Sequence, residues 1–238
     1  AQKPATAKPR RPRQVSQLRQ FFILSTRNVN ILFRDRFTLF LLLFVPPLVG
    51  LLDVVLAFLL GRNPFTTGPL GNVPNVMITL FLLALYGVLV GGIGQMREIV
   101  KEADIYKRER LVNLKILPYV VSKVWVAALL ALYQTFMFVL IHYLAFQMPG
   151  TLLDTFLVYI TLTLSTMAGM MLGLFASALA PNANSASLLV IVMMIPQIVL
   201  GGALIALPGA GRYVSALTTT RWAFESLMAI TAVGGDVA

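Results

Sequence analysis

Few side chains in this 238-residue sequence could do chemistry, and their types exclude most kinds of it. There is no cysteine, hence no disulfide framework, no thiol nucleophile and no thiolate metal site. A single histidine, His142, excludes a histidine-based metal centre. With Asp53 it could form a proton relay, the mark of a secondary transporter or an ion pathway, but one acid and one imidazole in separate apolar runs do not make a chain of titrating groups. An enzyme working inside a membrane needs a nucleophile, metal ligands or paired acids at depth, and none is present. No G-x-x-x-x-G-K-[ST] stretch occurs, and Gly91, Gly92 and Gly94 lie inside an apolar run, so the chain has no ATP site of its own. What remains is a charged island, Arg97 to Lys123, reading REIVKEADIYKRERLVNLKILPYVVSK between two long apolar runs. A charge at the centre of a bilayer costs about 2.5 to 3.5 kcal/mol on insertion scales, so the island is a solvated segment that touches something.

The elements that carry these residues follow from composition. The chain is 58% hydrophobic and 12% charged, against about 25% charged for a soluble domain, which makes it an integral membrane protein of all-α, polytopic class. Spans of about 20 apolar residues fall at 37–60, 76–94, 120–146, 152–179 and 186–207. Nine Lys/Arg lie in the first 36 positions and seven in the island, whereas the alternate loops hold Arg62, then none, then Arg212 and Arg221. The N-terminus and loop 97–118 are therefore expected in the cytoplasm, and the net charge of +10 is a membrane topology signal rather than a nucleic-acid face.

Domain limits follow from the same pattern. Residues 1–13 are a basic, Pro-rich linker, with a lipid-binding juxtamembrane patch as the alternative. Residues 14–35 set Val15, Leu18, Phe22, Val29 and Leu32 on one helical face and Gln14, Arg19, Gln20, Arg27, Asn28 and Arg34 on the other, which predicts an amphipathic helix in the membrane interface. Residues 36–207 form the transmembrane domain. The island should stay helical to about Val112, with Glu98 and Glu102 on one face, and Pro118 begins the third span. Residues 208–238 are expected on the far side, leading to a sixth span beyond the C-terminus; a start at Ala1 and an end at GGDVA suggest a piece of a longer protein. Gly87 and Gly91, and again Gly169 and Gly173, make G-x-x-x-G pairs suited to close helix contact, inside one subunit or between two. Pro196 could bend the fifth span, and Gln197 beside it needs a polar partner.

Three segments carry a resemblance: RNVNILFRDRFTLF before the first span, EADIYKRERLVNLKILPYVVSK in the island, and LPGAGRYVSALTTTRWAFESLMA after the fifth span. From about Gln14 to Ala229 the chain resembles the membrane domain of G-type ABC exporters, the White and pleiotropic-drug-resistance transporters of the ABC-2 permease class, bacterial members included. The resemblance implies five of six spans, a bacterial plasma-membrane location, and a nucleotide-binding domain, fused upstream or separate, that carries ATP and Mg. It also implies a second copy of the membrane domain and a hydrophobic or amphipathic substrate, a small molecule or a lipid. The loop after span two would couple to the nucleotide-binding domain through Glu102, Asp104, Tyr106, Lys107, Arg108, Glu109 and Arg110, with Glu109 matching the recurrent acid. Spans two and five would line the cavity with Leu83, Tyr86, Val90 and Ile93 and with Ile191, Met194, Ile195 and Ile198. A plug of two leucines would correspond to Ala203 and Leu204, one leucine short. The competing classes are a scaffold that recruits a cytoplasmic partner through the island, and a secondary transporter.

Overall fold

The computed structural model describes residues 16–62, 64–65, 72–148, 150–204 and 209–231. Among them every regular element is helical: α1 (Gln17–Arg34), α2 (Arg36–Leu60), α3 (Val73–Gln95), a 3-10 turn (Val100–Glu102), α4 (Ala103–Leu111), α5 (Ile116–Ala145), α6 (Leu152–Leu179), α7 (Ala183–Val199), α8 (Ala210–Ser215) and α9 (Thr219–Ile230). Four helices, α2, α3, α5 and α6, are long and apolar enough to cross a membrane. The fifth expected span is shorter: α7 has 17 residues, about 25 Å at 1.5 Å per residue, and ends at Val199 rather than Leu207. Residues 200–204 are non-helical and 205–208 lie outside the described residues, as do the linker 1–13, Gln14 and Val15.

Helix ends follow local chemistry. Ser16, Asp35, Asn72 and Asn182 cap α1, α2, α3 and α7 with side-chain oxygens, and Thr151 with Asp154 closes a capping box on α6. The Thr38 hydroxyl and amide both donate to Asp35 and hold its carboxyl below the usual range. The island is not one continuous helix with α3. It breaks after Gln95 and tightens into the 3-10 turn before α4, and Asn113, with φ +81°, reverses the chain. Asn tolerates that left-handed geometry better than most residues. Pro118 sits in the first turn of α5, where its missing N–H is harmless.

The packing is read from which residues meet. Leu43 with Tyr133, Gly50 with Ile141 and Asp53 with His142 keep nearly one numerical offset, so α2 and α5 run parallel. Gly91 beside Met170 and Gly173 beside Gly92 show the same for α3 and α6. The short connection from Ala145 to Leu152 turns α6 back antiparallel to α5, and Thr135 meets Thr166 between them at 3.2 Å. Inside α2, Pro47 has no N–H for the Leu43 carbonyl, and the Tyr133 hydroxyl takes that carbonyl at 2.8 Å. α3 is the most deeply buried span and α2 the most exposed.

The glycine pairs lie between α3 and α6 of one chain. A Cβ on Gly169 would stand 2.7 Å from Val88 Cα, and one on Gly173 would strike the Gly92 carbonyl, so the two backbones touch. The helices cannot approach this way with side chains in between. G169A should therefore lower the melting temperature of the purified protein in detergent, equivalent to about 1 to 3 kcal/mol. At Gly94 a Cβ would meet only a Leu42 methyl at 3.2 Å, so G94A should melt at or above the wild-type temperature.

Candidate functional site

The island folds onto the start of α5 around one buried ammonium. Lys123 is 5% exposed, and its Nζ lies 2.8 Å from Glu102 Oε1 and 3.5 Å from Glu98 Oε2. The Tyr119 hydroxyl donates to Glu102 Oε2 at 3.3 Å. Arg27 of α1 approaches that same oxygen at 3.9 Å and binds Glu109 Oε1 of α4 at 2.6 Å. Lys101 pairs with Glu98 at the outer end. Signs thus alternate from Glu109 through Arg27, Glu102, Lys123 and Glu98 to Lys101, joining α1, α4 and α5 in one chain of charge. A buried ion is tolerated when paired and hydrogen-bonded, as each inner member here is.

Neutral groups repeat the connections. Asn28 donates to Ser122 at 3.0 Å, and Gln20 binds both the Asn113 carbonyl and the Lys115 amide, so α1 holds both sides of the α4–α5 turn. The Tyr106 and Tyr119 rings lie 4.8 Å apart, and Arg110 donates to the Tyr106 hydroxyl. Ser177 of α6 accepts the Ile99 and Val100 amides at 3.0 Å, and Arg97 donates to Ser187 of α7.

At the opposite end the segment after α7 folds back into the bundle. Thr218 has no capping bond of its own at the start of α9; instead Gln197 of α7 accepts from the Thr220 amide and from the Thr219 and Thr220 hydroxyls at 3.0 to 3.1 Å. The amide side chain thus caps a helix from another helix. Arg221 and Phe224 lie farther out, beside Gly202, so α9 starts below the end of α7 and runs outward. Phe224 meets Phe81 of α3 edge-on at 5.8 Å, and Leu227 is fully buried. Arg62 donates to the Leu144 and Ala145 carbonyls at the end of α5. Between the two ends, Asp53 and His142 form a fully buried pair at 2.8 Å.

This arrangement can be set beside known proteins. The family model described as ABC-2 type transporter matches residues 19–231. The chain belongs to the ABC-2 type transporter family. It is 27% identical over 230 residues to the ABC transporter ATP-binding/permease protein Rv1747 of Mycobacterium tuberculosis, an alignment that takes in 90% of this chain and 26% of that protein. The chain spans about a quarter of that relative's length.

In this ABC-2 membrane domain the residues expected to couple divide into two groups. Glu102 is turned inward onto Lys123, and Glu109 is engaged with Arg27. Asp104, Lys107, Arg108 and Arg110 face outward, with Tyr106 half-buried. Sequence reasoning missed Arg27, Asn28, Tyr119 and Lys123 as partners. Lys123 carried a signal, being a lone basic residue one to two turns inside an apolar run. The cavity residues divide as well: Leu83, Tyr86, Val90 and Met194 are buried inside the single chain, Ile198 is half-buried, and Ile93, Ile191 and Ile195 are exposed. Ala203 packs against the core while Leu204 is exposed. Among the described residues no cluster of His, Asp or Glu could hold a metal ion.

Removing the central cation tests the cluster. K123M leaves Glu98 and Glu102 without their shared partner and should destabilise the protein by about 3 to 5 kcal/mol, read as a fall in melting temperature. K123M with E98Q and E102Q removes the uncompensated charge as well and should recover most of the loss.

Proposed function

We propose that the chain is the membrane half of an ATP-driven exporter, with the charged end of the bundle in the cytoplasm of a bacterial cell and α4 as the element that receives the stroke of a nucleotide-binding domain. The observation that carries this reading is the two-sided character of α4. Its inner side is tied by Glu109 to α1 and by the adjoining Glu102 to α5, while Ile105, Lys107, Arg108, Leu111 and Val112 stand in the open, Leu111 at 89% and Val112 at 82% exposure. A helix exposed on one side and ionically bonded on the other passes on a displacement rather than absorbing it. Motion of α4 pulls on α1 through Arg27, on α5 through Lys123 and on α6 through the Ser177 cap of the preceding turn.

ATP and Mg belong to the partner domain, fused or separate, in this reading. It is supported by the family match and by the relative whose name joins ATP-binding and permease functions. A second copy of this chain completes the pathway. Leu188, Ile191, Val192 and Ile195 form an apolar face along α7 that nothing among the described residues covers, and Ile93 of α3 is exposed as well. The pathway is faced by Ile93, Ile191 and Ile195, backed by Leu83, Tyr86, Val90, Met194 and Ile198, and ends near Ala203 and Leu204. An apolar lining of this kind suits a lipidic or amphipathic substrate.

The test is ATP hydrolysis by the full-length protein in lipid nanodiscs, with and without added lipid or drug. E109A should reduce ligand-stimulated hydrolysis roughly fivefold or more while the complex still assembles. E109D, which keeps the charge facing Arg27, should retain a large part of it. Stimulation unchanged in E109A would remove α4 as the transmitting element and favour a scaffold that recruits its partner through the island.

A further inference from the structure

Arg34, Asp35 and Arg36 form the elbow between α1 and α2, and every residue from Phe33 to Phe37 is exposed. Asp35 stands between two arginines and serves neither. Its Oδ1 accepts from the Thr38 amide and its Oδ2 from the Thr38 hydroxyl, the bonds that cap α2. Among the described residues neither guanidinium has an ion-pair or hydrogen-bond partner. The inward basic groups of this end are all taken: Arg27 by Glu109, Lys123 by Glu102 and Lys101 by Glu98. Arg34 and Arg36 are therefore cations that the fold leaves open at one short bend.

α2 sets the height of that bend. Its exposed apolar stripe runs from Phe37 through Phe44, Leu48, Leu51 and Val55 to Phe58. At 1.5 Å per residue the stripe is about 32 Å long, which matches the hydrocarbon core of a bilayer. With the stripe in hydrocarbon, Arg36 stands just above its first ring, at the level of the lipid phosphates. Phe33, 65% exposed, and Phe37, 72% exposed, supply aromatic rings at the same boundary. A guanidinium fork fits phosphate oxygens. Two such forks, with the acid between them already engaged, attract a headgroup of net negative charge, whereas the ammonium of a zwitterionic headgroup would meet the same two cations and be repelled.

We infer that the elbow from Phe33 to Phe37 binds an anionic phospholipid of the phosphatidylglycerol class. Arg34 and Arg36 hold its phosphate, and its acyl chains lie against Phe33 and Phe37. The site needs only that α2 crosses a membrane, so it stands or falls separately from ATP coupling.

Native mass spectrometry of the full-length protein tests it, with phosphatidylglycerol and phosphatidylcholine of the same acyl chains as the two probes. The wild type should hold phosphatidylglycerol at least tenfold more tightly than phosphatidylcholine. R34Q/R36Q should lose at least tenfold in phosphatidylglycerol affinity and hold phosphatidylcholine as before. It should also melt at the wild-type temperature, because neither guanidinium has a partner within the described residues to lose. R34K/R36K, which keeps both charges, should keep most of the preference. R19Q/K115Q removes the same charge from other exposed positions at this end and should bind phosphatidylglycerol as the wild type does. An equal loss in R34Q/R36Q and R19Q/K115Q would mean a diffuse attraction to the basic end and overturn the proposal. Unchanged retention in R34Q/R36Q would mean adventitious annular lipid and overturn it as well. Unchanged retention together with reduced ligand-stimulated hydrolysis would assign the two arginines to the partner domain instead, with the same consequence.

Discussion

One ammonium group, Lys123 Nζ, holds the charged end of this bundle together. Two carboxylates of the island reach it, the Tyr119 hydroxyl satisfies another oxygen of Glu102, and Arg27 extends the alternation of charge to α1 and α4. Without it, Glu98 and Glu102 would face the start of an apolar helix with no cation from that helix to meet them. With it, α4 is fixed in direction, and the turn that leads into α5 is held from both sides by Gln20. The stability of such a cluster lies less in the attraction itself than in the penalty for leaving any member unpaired.

The same constraint governs the rest of the spanning region, where water is not available to satisfy a polar group. Tyr133 serves the carbonyl that Pro47 releases, Gln197 serves the open start of α9, and Asp53 and His142 serve each other. Each of these bonds crosses between helices, so each also fixes a register. α3 and α6 need no such bond, because Gly169 and Gly173 let their backbones meet.

Four of the five expected spans were legible in the sequence because span length is set by the bilayer, and α4 because its charges have no place in lipid. The glycine pairs were legible as a close contact, and Gln197 as a residue in need of a partner. Other features depend on register between distant segments. Asp53 and His142 read as isolated polar residues until α2 and α5 run parallel and bring positions 89 apart into contact. Arg27 and Asn28 read as the wet side of an interfacial helix, yet they face α4 and α5. The face of α3 was beyond sequence reading, since a helix apolar on every side has no periodicity to show which residues turn inward. Within the single chain Leu83, Tyr86 and Val90 are buried, and only Ile93 of that set is exposed. The return of α9 was hidden because its anchor is a helix cap supplied from another helix.

These ties are unevenly distributed, and the unevenness says where the bundle can move. α3 and α6 are locked along their length by backbone contact, and α2 and α5 by bonds at Leu43 and Asp53. α7 is held more sparingly: Ser187 by Arg97 at its start, Met194 against Gly92 in its middle, and Gln197 by the threonines of α9 near its end. Pro196 interrupts its ladder of hydrogen bonds just before that last tie. A helix fixed at both ends by polar bonds, broken by a proline and carrying an apolar outer face has freedom mainly to tilt. Because Arg97 joins the start of α7 to the segment that leads into the charged cluster, in the proposed exporter a shift of the island would reach α7 by a short route, with the locked α3–α6 pair as the fixed frame.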